Sequence, residues 1–158
     1  MPSVPRVTVA ALGNPDRGDD GIGPAVAGAL QALLPVDVPL IVHGGDVLAL
    51  IERWAGCDAL VCVDGAEPMG APGRMHRLDL SRGALPHGST RASSHALGLT
   101  EAIALSRALH LAPPQIIVYA VEGRRFEPGA ALSPQLAAAV PAVARHVADE
   151  VARLRSES

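Results

Sequence analysis

A chain of 158 residues can fill one sizeable core, so one domain spanning residues 1–158 is expected. Apolar residues make up 49% of it but aromatics only 2%, which argues against stacking on nucleobases and leaves a core of Ala, Val, Leu and Ile. The net charge is −3 and the thirteen basic residues are all Arg and scattered, so there is no basic stripe for nucleic acid, no polybasic membrane patch and no Lys for a Schiff base or phosphate loop.

Cys57 and Cys62 form no CxxC pair, no disulfide framework and no zinc pattern, and they fit a reducing cytoplasm. No apolar run approaches the ~20 residues that span a bilayer, and no signal segment is evident. A cytoplasmic location without membrane or nucleic-acid partners is expected. No large amphipathic surface is left over to demand a second copy, so a monomer is expected.

Residues 6–12 are apolar and β-branched, the pattern of a strand buried on both faces. A turn crowded with carboxylates follows, Gly13-Asn14-Pro15-Asp16-Arg17-Gly18-Asp19-Asp20-Gly21, and Asp in this density prefers a loop. Ile22, Ala25, Val26, Ala29, Leu30, Leu33 and Leu34 then fall at helical spacing up to Pro35, with Pro24 tolerated in the first turn.

Residues 36–43 read as a strand near an edge, because Pro39 cannot donate to a ladder. A Gly44-Gly45-Asp46 turn leads to a short helix over 47–54. The clearest buried strand is 59–63, ended by Asp64. A Gly- and Pro-rich loop over 67–73 precedes a half-polar edge strand over 74–80.

The polar stretch 81–94 is long for a loop and delivers Ser94-His95 to a helix over 97–109, in which Leu97, Thr100, Ala104, Ala108 and Leu111 share one broad face. A strand over 115–121 ends at Glu122. After the polar stretch 123–129, Ser133-Pro134 reads as an N-cap with Pro at the first position of a helix running to about 154 and interrupted by Pro141.

The order βαβαββαβα predicts an α/β three-layer sandwich, a mostly parallel twisted sheet of about five strands with helices on both faces. Ligands in such sheets bind beyond the carboxyl ends of the strands, where Asp20, the Gly44-Gly45 turn, Asp64 and Glu122 should gather. Asp20, Asp64 and His95 are an oxygen, oxygen, nitrogen set able to meet one divalent cation. Each has a plainer reading: an Asp before a helix is more often a cap, and a lone His is as often a surface residue. The scattered His43, His76, His87, His110 and His146 read as surface or edge residues. There is no G-x-G-x-x-G fingerprint and no G-x-S-x-G elbow.

Five blocks in register make a more specific pattern. They are Gly13-Asn14 with Asp19-Asp20-Gly21-x-Gly23, then Gly44-Gly45, then Val63-Asp64, then Ser94-His95-x-Leu97-Gly98-Leu99, and last Phe126-Glu127-Pro128-Gly129 ahead of Leu132-Ser133-Pro134. In this order the chain resembles the maturation endopeptidases of NiFe hydrogenases. The resemblance implies an enzyme that removes a C-terminal extension from the hydrogenase large-subunit precursor after nickel insertion, with the precursor's nickel as the recognition signal. It implies Asp20, Asp64 and His95 as the metal contacts, nickel supplied by the substrate, and no organic cofactor.

Three positions depart from the family's pattern: His43 stands where an acidic residue is common, Asp46 where a small hydroxyl is common, and Gly123 where Pro is frequent. Asp20 stands where Glu is often found. Attack of water on the peptide bond needs a general base, for which Asp19 or Asp16 are the nearby carboxylates. Two other classes compete: a conventional metallohydrolase holding its own zinc, and a non-catalytic chaperone of nickel or of the precursor.

Overall fold

The computed structural model describes residues 3–43, 46–82 and 98–157. Its elements run β1 (Val7–Leu12), α1 (Ile22–Leu30), β2 (Leu40–His43), α2 (Val47–Trp54), β3 (Ala59–Ala66), β4 (Met75–Asp79), α3 (Leu99–Ala108), β5 (Gln115–Glu122) and α4 (Pro134–Ser156). The five strands form one sheet in the order β2-β1-β3-β5-β4. All pairs are parallel except β4 against β5, the edge strand that its half-polar pattern predicts.

The central strands are buried on both faces because helices cover each. On one face Val9, Val61, Val63, Tyr119 and Val121 pack against Ile22, Val26 and Leu30 of α1 and Val143, Val147 and Val151 of α4. On the other, Ala10, Leu60, Cys62 and Val118 meet Leu50, Ile51 and Trp54 of α2 and Leu99 and Ile103 of α3. The Trp54 indole N–H donates to the Ser106 hydroxyl at 3.0 Å, so the two helices of that layer are joined by a satisfied buried polar contact. Cys62 is fully buried and burial pushes its thiol up, which fits a core residue rather than a nucleophile. Among the described residues no helix is long and apolar enough to cross a membrane.

Several element boundaries differ from expectation, each for a local reason. Strand β2 begins at Leu40 because residues 36–38 turn, with the Val38 N–H donating to the Pro35 carbonyl at 3.1 Å; Val36 is left exposed. Helix α1 gives way to turns after Leu30, short of Pro35. Strand β3 runs past Asp64 to Ala66, because β5 extends alongside it through Asp64↔Ala120 to Ala66↔Glu122. In α3 the buried side chains are Leu99, Ala102, Ile103 and Ser106, whereas Thr100, Ala104 and Ala108 of the expected face are exposed. The face with the larger apolar side chains won, as burial area requires. Ser133 precedes α4 as expected, yet its hydroxyl makes no cap and is used elsewhere.

Outside the site, the largest polar investment is Glu150 of α4, a buried carboxylate under the β4–β5 edge. Arg77 Nε donates to it at 2.6 Å, the Tyr119 hydroxyl at 2.8 Å and Arg153 Nε at 2.7 Å. Burial raises its pKa, but these donors outweigh burial and hold it below the ordinary 4.5. A depressed folded-state pKa stabilises the fold above the unfolded value, and that contribution disappears as pH falls through the folded one. Glu150→Ala should therefore cost about 1–3 kcal/mol at neutral pH, largely by leaving the Tyr119 hydroxyl unpaired. Urea midpoints measured against pH should show the gap from wild type narrowing as pH falls through the depressed folded-state pKa.

Candidate active site

The site forms where β1 and β3 end. Beyond Leu12 the chain turns sharply: Gly13 has φ +136°, and a Cβ there would stand 1.9 Å from the Asp20 carbonyl oxygen. A Cβ on Gly23 would lie 2.1 Å from the Leu12 carbonyl oxygen, so the start of α1 sits directly against the strand exit. Only glycine permits both approaches. Residues Gly18–Gly21 close the turn as a short 3-10 helix.

This geometry presents Asp20. Its Oδ2 accepts the Asn14 N–H at 2.9 Å, while Asn14 Oδ1 accepts the Asp16 N–H at 2.8 Å, so Asn14 fixes the loop that holds the carboxylate. The capping alternative for Asp20 does not describe this structure, since α1 starts from Gly21 without a side-chain cap.

Asp64 is buried within β3. Its Oδ1 accepts the N–H of Gly65 at 2.8 Å, a single donor among the described residues. Burial, and after it the neighbouring charge of Asp20, push the Asp64 carboxyl well above the usual carboxylate range. Two acidic groups thus lie near enough at the sheet rim for the charge of Asp20 to bear on Asp64. A cation bound between such carboxylates would offset their repulsion.

Asp19 has a different environment from its neighbour. It is fully buried, and its two oxygens accept four hydrogen bonds, from Arg124 N at 2.7 Å, Arg125 N at 2.9 Å, Ser133 N at 2.7 Å and the Ser133 hydroxyl at 2.6 Å. Burial would raise its pKa, but the Ser133 hydroxyl and the three backbone donors outweigh burial and lower it. Backbone bonds reinforce the tie: Asp19 N donates to the Arg125 carbonyl at 2.7 Å, and Gly18 N to that of Ala130 at 3.0 Å. This geometry favours a strut that ties the acidic turn to the loop between β5 and α4 over the general base expected of Asp19. No local signal announces it, because the partners lie 105 to 114 residues away. Asp16, the other expected base, is exposed.

His95, the Gly44-Gly45 turn and nearly all of the 81–94 loop lie outside the described residues. Among the described residues no three His, Cys, Asp or Glu side chains group around a common metal position. The described part of the expected set is the Asp20–Asp64 pair. Asp46, a departure from the family's pattern, works as the N-cap of α2 and accepts from Leu48 N at 3.0 Å and Ala49 N at 3.4 Å.

The model of a protein family described as hydrogenase maturation protease (HycI) matches residues 24–150. The chain belongs to that family. It is therefore a peptidase of hydrogenase maturation, a family whose members act on large-subunit precursors. Solved structures share its fold. The hydrogenase maturating endopeptidase HybD of E. coli superposes with a TM-score of 0.77 at 24% identity, over 94% of this chain and 93% of that one. The NiFe hydrogenase maturation protease HycI of Thermococcus kodakarensis KOD1 gives 0.73 at 20% identity, over 94% of each chain. A hydrogenase 2 maturation peptidase from a Thaumarchaeota archaeon gives 0.68 at 26% identity, over 92% of this chain and 97% of that one. Among curated proteins no sequence matches significantly.

Proposed function

We propose that this peptidase removes the C-terminal extension of a NiFe hydrogenase large-subunit precursor after nickel insertion, and that it recognises the nickel the precursor carries. The observation that supports this reading most is the Asp20–Asp64 pair: one exposed enough to reach a ligand, the other buried, with one hydrogen-bond donor among the described residues and its charge disfavoured by burial and by Asp20. Oxygen donors with an imidazole suit a divalent first-row metal, and His95 is the proposed nitrogen contact.

Two carboxylates and one imidazole leave a divalent metal short of ligands, so the peptidase alone would hold it weakly. Metal arriving on the substrate changes that balance. The precursor's nickel brings most of its coordination with it, and Asp20, Asp64 and His95 add the last contacts, which fixes one peptide bond over the sheet rim. The stretches 81–94 and 123–129 are the proposed selectors among precursors, since both lead into residues of the site. The protein works in the cytoplasm as a monomer under this proposal.

Incubating the protein with nickel-loaded and nickel-free precursor and weighing the product separates the alternatives. Shortening of the nickel-loaded precursor alone is expected. Shortening of both, with about one zinc per purified chain, would mean a conventional metallohydrolase. Tight binding with unchanged length would mean a chaperone.

A further inference from the structure

The sheet face that carries Asp64 carries a second ionisable pair. Side chains alternate along a strand, so with Val118 in the α2–α3 layer and Tyr119 and Val121 in the other, Ala120 and Glu122 turn to the α2–α3 side. Asp64 pairs with Ala120 from β3, and His76 pairs with Ala120 from β4. Asp64, Ala120 and His76 therefore form one row on one face, with Ala66 and Glu122 in the next row toward the rim. The Cα atoms of Asp64 and His76 stand two strand spacings apart, about 10 Å, with Ala120 as the residue between them in the sheet.

Glu122 is buried, with Oε2 accepting the Ala71 N–H and Oε1 3.8 Å from His76 Nε2. That nitrogen is buried and makes no hydrogen bond among the described residues. The His76 side chain is nevertheless 30% exposed, so its open part lies away from Nε2. A proton on Nε2, facing the carboxylate, leaves the lone pair on Nδ1. Imidazole is the side chain best matched to proton transfer near neutrality, and the acidic turn offers only the saturated Asp19 and the exposed Asp16.

We propose that His76 is the general base and acid of the peptide cleavage and that Glu122 is its positioning residue. The assignment rests on the function proposed above. A water oxygen bonds to the carbonyl carbon while one of its protons passes to Nδ1, and the carbonyl π electrons move to oxygen. As that intermediate collapses the C–N bond breaks, and the proton on Nδ1 passes to the departing amine nitrogen. One water is consumed, and His76 returns neutral beside Glu122. The span from Asp64 to His76 suits a peptide that is gripped through its metal at one end of the row and cut at the other.

The test is single-turnover cleavage of nickel-loaded precursor by wild type, His76→Ala and Glu122→Gln, with precursor affinity and urea midpoint measured on each. His76→Ala should slow cleavage at least about 100-fold at unchanged affinity and midpoint, and added imidazole should restore part of the rate. Glu122→Gln should lower the single-turnover rate about 10-fold and leave precursor affinity unchanged. Wild-type cleavage by His76→Ala would overturn the assignment, as would a loss of rate that follows the midpoint and is not rescued by imidazole. If wild type itself left the nickel-loaded precursor at full length, the proposed function would fail first and this assignment with it.

Discussion

Asp64→Asn should abolish most processing of nickel-loaded precursor while leaving the peptidase as stable as wild type or more so. The carboxyl is buried with one donor among the described residues, and both burial and the charge of Asp20 hold its pKa well up. A group whose folded pKa is raised in this way destabilises the fold when it ionises, and the amide removes that cost at nearly the same volume. Under the proposed nickel contact processing should fall at least about 100-fold, since a direct ligand matters more than the supporting residues whose loss usually costs about 10–100-fold. Gain in stability with loss of function is the mark of a residue kept for its chemistry. Normal processing by Asp64→Asn would remove it from the site.

Asp19→Ala should show the opposite profile. The substitution strands the N–H groups of Arg124, Arg125 and Ser133 and the Ser133 hydroxyl, and unties the acidic turn from the β5–α4 loop. Each buried donor left unsatisfied costs about 1–3 kcal/mol, so the loss should be a large share of the roughly 5–15 kcal/mol that holds a domain together. The urea midpoint should fall accordingly, and processing should fall only to the extent that the chain unfolds or the turn shifts. Because the folded pKa of Asp19 lies below the ordinary 3.8, its contribution is complete above that value and is lost as pH drops through the folded one. An unchanged midpoint with lost activity would restore Asp19 to the chemistry.

These two aspartates mark how far the sequence could be read. Their placement at the carboxyl rim followed from strand and helix periodicity, which reports burial directly: β1, α2 and β4 fall within a residue or two of where their patterns end. Which carboxylate would be free and which would be spent as a strut was not legible, because the donors to Asp19 come from the far end of the chain. The same reason applies to Ser133, whose N-cap signature is local while its actual partner is not. Strand β3 outran its apparent stop at Asp64 because pairing with β5 outweighed the poor strand preference of Asp. In α3 the small residues carried a helical spacing on two faces, and only packing against α2 and the sheet decided between them. His76 offered no pattern at all; its interest comes from register with Ala120 and from Glu122 across the strand pair.

The central claim is that Asp20, Asp64 and His95 complete the coordination of nickel carried by the precursor. X-ray absorption at the nickel edge, recorded on nickel-loaded precursor before and after the peptidase is added under conditions that trap the complex, tests it most directly. Added oxygen and nitrogen scatterers are expected in the complex with wild type, reduced in the complex with Asp64→Asn. A nickel spectrum unchanged by complex formation would contradict it.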